Sequence, residues 1–223
     1  MCGCKPEELA RTTREHYKEL GVSAHCGDAV GAIDRDAKTV TTEGGRTFPY
    51  DKLVMATGSY PFVPPIPGAD LSDCLVYRTI EDLEAITAGA STSKVGVVVG
   101  GGLLGLEAAN ALRSLGLETH VVEFAPRLMA VQIDDAGGKL LRSKIEQLGV
   151  RVHTGKATTE IVDGEHALHR MNFADGEHLE TDLILFSAGI RPQDALAKAC
   201  GLTLGERGGV VVNNYCITSD PNV

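Results

Sequence analysis

Two stretches of the chain carry the same order of apolar and polar positions. Asp51-Lys52-Leu53-Val54-Met55-Ala56-Thr57-Gly58-Ser59-Tyr60-Pro61 and Asp182-Leu183-Ile184-Leu185-Phe186-Ser187-Ala188-Gly189-Ile190-Arg191-Pro192 are each a short apolar run ending in a small residue and a glycine, with Asp, Gly and Pro in matching places. An apolar run without alternation predicts a strand buried on both faces of a parallel sheet, with its C-terminal end at a ligand crevice. Upstream of each run, Leu20-Gly21-Val22 and Leu148-Gly149-Val150 close a helical pattern with glycine just beyond the helix and open a strand. Between them, Ala29-Val30-Gly31-Ala32-Ile33 and Leu168-His169-Arg170-Met171-Asn172-Phe173 alternate, with turn signals at Asp28, Gly44-Gly45, Asp163-Gly164 and Asp175-Gly176. That predicts a small antiparallel meander in each copy. The chain therefore contains a repeat of helix, strand, meander and strand.

The copies differ in what precedes them. The second follows a β-branched strand, Lys94-Val95-Gly96-Val97-Val98-Val99, then a glycine turn, a helical stretch from Leu103 to Leu115 closed by Gly116, and a strand from Glu118 to Glu123. A counterpart for the first copy would fall upstream of Met1.

Gly100-Gly101-Gly102-Leu103-Leu104-Gly105 fits G-x-G-x-x-G, a weak pattern alone. Here a strand precedes it, a helix follows, and Glu123 ends the next strand about twenty residues on, the order of a dinucleotide-binding βαβ unit. Gly100 suits the tight turn, Gly102 the close approach of backbone to a pyrophosphate, and Gly105 close helix–strand packing. The anion would sit on the helix N-terminus. Glu123 would accept from the adenosine ribose diol and repel a 2′-phosphate, favouring NAD over NADP; Arg127, four residues on, is placed to accommodate that phosphate and leaves NADP open. Glu107 is read on the first turn of the helix, facing a nicotinamide or simply favouring the helix N-terminus. His153 and Lys156 read as solvated surface.

Composition narrows the classes. With 21 Lys and Arg against 30 Asp and Glu, the 223-residue chain carries −9 and lacks the basic footprint of nucleic-acid binding. No apolar run approaches the ~20 residues of a membrane span, and Met1 to Glu8 contain no secretory apolar segment, so a soluble, cytoplasmic protein is expected. The six cysteines form no C-x-x-C pair, and free thiols are the expectation; a metal cluster of Cys2, Cys4, His16, His25 and Cys26 is the lesser alternative. No Ser-His-Asp order, zinc spacing or carboxylate pair assigns a catalytic side chain or a metal ligand, so the chemistry must come from cofactors.

These residues resemble the pyridine nucleotide-disulfide oxidoreductases, flavoproteins with an NAD(P) domain inserted in an FAD domain of the same ancestry. Tyr50 to Ser59 looks like the family's A-T-G strand and Val98 to Ala109 like its NAD fingerprint. Tyr60 to Gly68, Tyr77 to Leu83, Gln132 to Gly138 and Val152 to Lys156 are similar to blocks of its nitrite reductase branch, with rubredoxin and ferredoxin reductases next. The resemblance implies an α/β fold of two Rossmann-like, three-layer nucleotide-binding domains: residues 1–75 and 199–223 belonging to a truncated FAD domain, 76–198 to the NAD(P) domain. It implies hydride transfer from NADH to FAD and electron passage to a downstream metal-centre acceptor, siroheme and iron–sulfur groups belonging to domains outside this chain. Gly189 would lie on the nicotinamide side; Ala56, Thr57 and Gly58 would line FAD; and Val30 would touch the flavin adenine through its backbone or serve as core. The family's first G-x-G-x-x-G and its later flavin-binding segment are missing, so the chain reads as an internal fragment. An NADH-binding module without catalysis and a rubredoxin- or ferredoxin-reductase fragment are the other readings; a homodimer is left open.

Overall fold

The computed structural model describes residues 12–223; Cys2 and Cys4 of the metal-cluster alternative lie outside them. Along the chain run α1 (Arg14–Glu19), β1 (Val30–Asp34), β2 (Thr39–Thr42), β3 (Thr47–Pro49), β4 (Ser59–Pro61), β5 (Cys74–Val76), α2 (Ile80–Ala90), β6 (Val95–Val99), α3 (Leu103–Ser114) and β7 (Glu118–Glu123). There follow α4 (Asp135–Gln147), β8 (Val150–Thr154), β9 (Thr158–Asp163), β10 (His169–Phe173), β11 (His178–Thr181), β12 (Leu183–Phe186), β13 (Ile190–Pro192) and α5 (Ala195–Ala199). The chain divides into two compact units, one from Pro61 to Ile190 and the other from the segments on either side. The division falls after Tyr60 and Ile190, earlier than the expected 75/76 and 198/199, because β5 pairs with β12 and completes the first unit's sheet.

In the Pro61–Ile190 unit, five parallel strands lie in the order β5-β12-β6-β7-β8. The central β6 and β12 are apolar throughout because both faces are covered, whereas β7 and β8 also carry polar residues such as His120 and His153. Val98, Val121, Leu183 and Leu185 pack against Ile86 of α2 and Ala108, Ala109 and Leu112 of α3. On the opposite face Val97, Val99, Val122, Ile184 and Phe186 meet Ile161, Met171 and Phe173 of the antiparallel meander β9-β10-β11. The result is three layers: helices, sheet, meander. Thr79 and Asp82 close a capping box at the start of α2, and Asp134 caps α4 by accepting from Gly137 N at 2.8 Å. Gly149, at φ +90, turns the chain from α4 into β8 as its position beyond the helix predicts.

The other unit holds the meander β1-β2-β3 and α5, with a small core of Tyr50, Leu53, Met55, Ala197, Leu202 and Val223. Two sequence expectations fail here. No strand opens at Val22, and the run from Leu53 to Gly58 is not a buried strand: Val54 is 85% exposed, and Leu53 N donates to Asn222 O at 2.8 Å. A parallel strand needs neighbours. β12 lies between β5 and β6, whereas among the described residues no strand flanks 53–58. Only β4 forms, paired with β13. Val30 begins β1 at the surface rather than in the core. No helix of the described residues is long and apolar enough to cross a membrane.

Candidate functional site

The three pattern glycines are held for different reasons. Gly100, at φ +123, turns the chain out of β6, and a Cβ there would overlap the Ser187 carbonyl. A Cβ on Gly105 would overlap the Gly100 carbonyl oxygen, so the glycine lets α3 close on the turn. Gly102 precedes α3 in ordinary extended backbone (φ −81°, ψ −176°) and gives its N-terminus no side-chain cap. A Cβ on it would meet nothing within 4 Å. Nothing in the fold requires Gly102, and the space beside it is open.

Glu123, at the end of β7, is fixed on every side. One carboxylate oxygen accepts from Gly101 N at 2.5 Å and the other from Ala125 N at 2.7 Å. Its carbonyl accepts from Lys156 N at 3.0 Å, and Gly155 N donates to Ala125 O at 2.9 Å. The end of β8 thus holds the acid and its loop in place, and Gly101 proves to be the residue that aims the carboxylate.

A cavity of about 720 Å³ opens over the C-terminal ends of β6, β7 and β12 within this unit, the crevice side of a parallel sheet. Of the expected residues, Gly100, Gly102, Leu103, Leu104, Glu123 and Gly189 line it. Gly101 and Gly105 are buried and do not line it. Val30, Ala56, Thr57 and Gly58 belong to the other unit, where Ala56 and Gly58 are exposed and the Thr57 hydroxyl donates to Gln193 O at 2.6 Å.

Other expectations are corrected. Because α3 starts at Leu103, Glu107 is its fifth residue, outside the first turn, exposed and off the cavity wall. The Arg127 guanidinium donates to Ile133 O at 3.1 Å, Ala130 O at 3.0 Å and Asp135 Oδ1 at 2.8 Å, so it clasps the following loop to α4 rather than facing the cavity. Lys156 is not solvated: it lines the cavity, its side chain is 14% exposed, and Nζ pairs with Asp175 and Glu177 and lies 5.5 Å from the Phe173 ring centroid. Those two carboxylates raise its pKa above the ordinary lysine range. His153 is half-buried against His120.

Several wall residues escaped the sequence reading: Phe62, Tyr77, Phe124, Lys156 and the loop from Met129 to Gln132. The signal available was Phe124 and Val131, large apolar residues just after Glu123 and in the loop that follows it, which the fold leaves exposed. Among the described residues no group of His, Cys, Asp and Glu could hold a metal ion.

A glycine turn opening a helix, an acid ending the next strand and a cavity over both define a Rossmann-type dinucleotide-binding oxidoreductase fold. Residues 3–223 match the model of the pyridine nucleotide-disulphide oxidoreductases, and the chain belongs to that family. It is 57% identical over its whole length to the large subunit of NAD(P)H nitrite reductase from Klebsiella oxytoca, of which it spans 23%. Among solved structures, a ferredoxin reductase from Rhodopseudomonas palustris matches with a TM-score of 0.91 and 30% identity over 99% of this chain and 54% of that one. The water-forming NADH oxidase of Lactobacillus brevis, solved bound to NADH, matches at 0.89 and 28% over 98% of this chain and 49% of that one.

Proposed function

We propose that the chain is the nicotinamide- and flavin-binding part of a nitrite reductase of the large-subunit type, taking hydride from NADH to FAD and passing electrons to a metal-centre acceptor elsewhere in a longer protein. The observation that carries the reading is Gly102, a glycine that the fold does not need, open to the cavity at the start of α3. A dinucleotide pyrophosphate fits there on the uncapped helix N–H groups. Glu123, aimed by Gly101 and Ala125, would hold the adenosine ribose, and Gly189, Leu103 and Leu104 would border the rest of the nucleotide. NADH is the preferred donor, since Arg127 already holds two carbonyls and Asp135.

Ala56, Thr57, Gly58 and Val30 are the residues assigned to FAD. Their fit rests on exposed backbone at Gly58, where a Cβ would meet nothing, and on the extended, surface-lying start of β1. The flavin would supply two-electron acceptor chemistry; this chain's own part is to bind and orient the nucleotide and exclude water. Siroheme and iron–sulfur groups belong to the longer protein in this reading.

Purified chain titrated with NADH and assayed for flavin absorbance and NADH-dependent dye reduction tests it. Bound flavin with dye reduction is expected. Colourless protein that binds NADH would mean a nucleotide-binding module, and no NADH binding would overturn the reading.

A further inference from the structure

Behind Glu123 lies a chain of polar groups that the nucleotide site does not use. His120 on β7 is buried, with Nδ1 2.9 Å from His153 Nε2 on β8 and Nε2 3.2 Å from Glu118 Oε1. The two rings are parallel within 1°, their centroids 5.2 Å apart, as in an in-plane hydrogen bond between ring edges. Nitrogens facing each other along one line share a proton and cannot converge on a metal ion.

The order of the hydrogens follows from the carboxylate. Glu118 only accepts, so His120 carries its proton on Nε2; His120 Nδ1 is then the acceptor, and His153 carries its proton on Nε2. His153 Nδ1 remains as the one ring nitrogen of the pair without a protein partner. The charged groups around the pair are Glu118 and Arg151 beside His120, and Lys156, Arg142 of α4 and Glu177 of the β10–β11 turn beside His153. Burial first, then the neighbouring His120, Lys156 and Arg142, lower the His153 pKa; burial is also the main cause for His120.

We propose that Glu118, His120 and His153 form a proton-sensitive brace for the Glu123 rim, so that one proton taken up at His153 Nδ1 weakens NADH binding. The consequence for NADH rests on the function proposed above; the hydrogen-bond order does not. The neutral pair leaves Glu177 to Lys156, whose backbone N–H holds the Glu123 carbonyl. A proton on Nδ1 creates a new donor and a new cation within electrostatic reach of Glu177, the anion among the charged groups around His153. Glu177 drawn to His153 leaves Lys156 to Asp175 alone and loosens the loop that positions the acid. His153 is a positioning residue, acting through Lys156 and Glu123.

The test uses the full chain from pH 8 to pH 5. Long-range 1H–15N spectra read the tautomers, and titration with NADH reads Kd. Expected are protons on Nε2 of both rings at pH 7.5, and a Kd that rises about threefold or more below pH 6.5 as His153 Nδ1 takes up its proton. His153→Gln retains a donor to His120 but cannot titrate, and its Kd should lose that pH dependence. A flat wild-type profile, an equal slope in H153Q, or a proton on His120 Nδ1 at pH 7.5 would overturn the proposal. Absence of NADH binding at every pH would sink the proposed function and with it the coupling to NADH, while the tautomer spectra would still decide the hydrogen-bond order.

Discussion

Adding one methyl group distinguishes the glycines of the turn. Gly105→Ala would drive a Cβ into the Gly100 carbonyl, and overpacking of this kind costs about 1–3 kcal/mol, readable by urea denaturation. Gly102→Val should behave oppositely, leaving the unfolding midpoint nearly unchanged while NADH affinity falls at least about a hundredfold, because the branched side chain takes up open cavity space at the N-terminus of α3. Unchanged NADH affinity in G102V would show that the pyrophosphate lies elsewhere. Glu123→Arg replaces the acceptor proposed for the ribose with a phosphate-pairing group. The expected result is a Kd ratio shifted toward NADPH by about tenfold or more, and an unaltered ratio would refute the role given to the acid.

At the scale of elements, Arg127 ties the Met129–Gln132 wall of the cavity to α4. Arg127→Met should lower stability by about 1–2 kcal/mol and weaken both nucleotides alike. If Arg127 instead served a 2′-phosphate, NADPH alone would suffer, so the ratio of the two affinities is the measurement. Arg127 also marks where reading the sequence stops. The strand, turn, helix and acid from Val95 to Glu123 were legible because each is set by local chemistry: β-branched residues, glycines and an apolar helical period. Both meanders were legible from alternation and turn residues. The guanidinium's partners were not, since they lie in a loop whose path depends on α4. The reading of Leu53 to Gly58 as a buried strand failed for a related reason: an apolar run specifies a strand only where neighbouring strands pair with it. Lys156 was misjudged because its partners, Asp175 and Glu177, reach it from a hairpin about twenty residues away.

Across the Pro61–Ile190 unit, one carboxylate joins three parts of the fold. Asp182 accepts from Lys94 N at 2.8 Å and Val95 N at 3.0 Å at the start of β6, and from Leu168 N at 3.2 Å before β10. Burial pushes its pKa up, but the backbone N–H groups outweigh burial and hold it below the ordinary aspartate range. Glu180 is likewise lowered, by N–H groups of His166, Glu165 and Ala167. A pKa lower in the folded than in the unfolded state gives stability that is present above the unfolded value, about 4, and lost as the pH falls through the folded one. Asp182→Asn should therefore cost about 1–2 kcal/mol at pH 7, with the unfolding curves of variant and wild type converging toward pH 3. A constant gap across that range would mean that the charge of Asp182 contributes nothing.

The two strands that end the five-stranded sheet differ in how they meet solvent. β5 is three residues long, too short to template another strand, while β8 would offer a full row of backbone groups. Arg142 of α4 takes up one carbonyl of β8 by donating to Val152 O at 2.9 Å, and Arg151 of β8 pairs with Glu118 of β7. A guarded edge of this kind resists the edge-to-edge joining that leads to aggregation, so the arginine of a helix keeps the sheet a finite object.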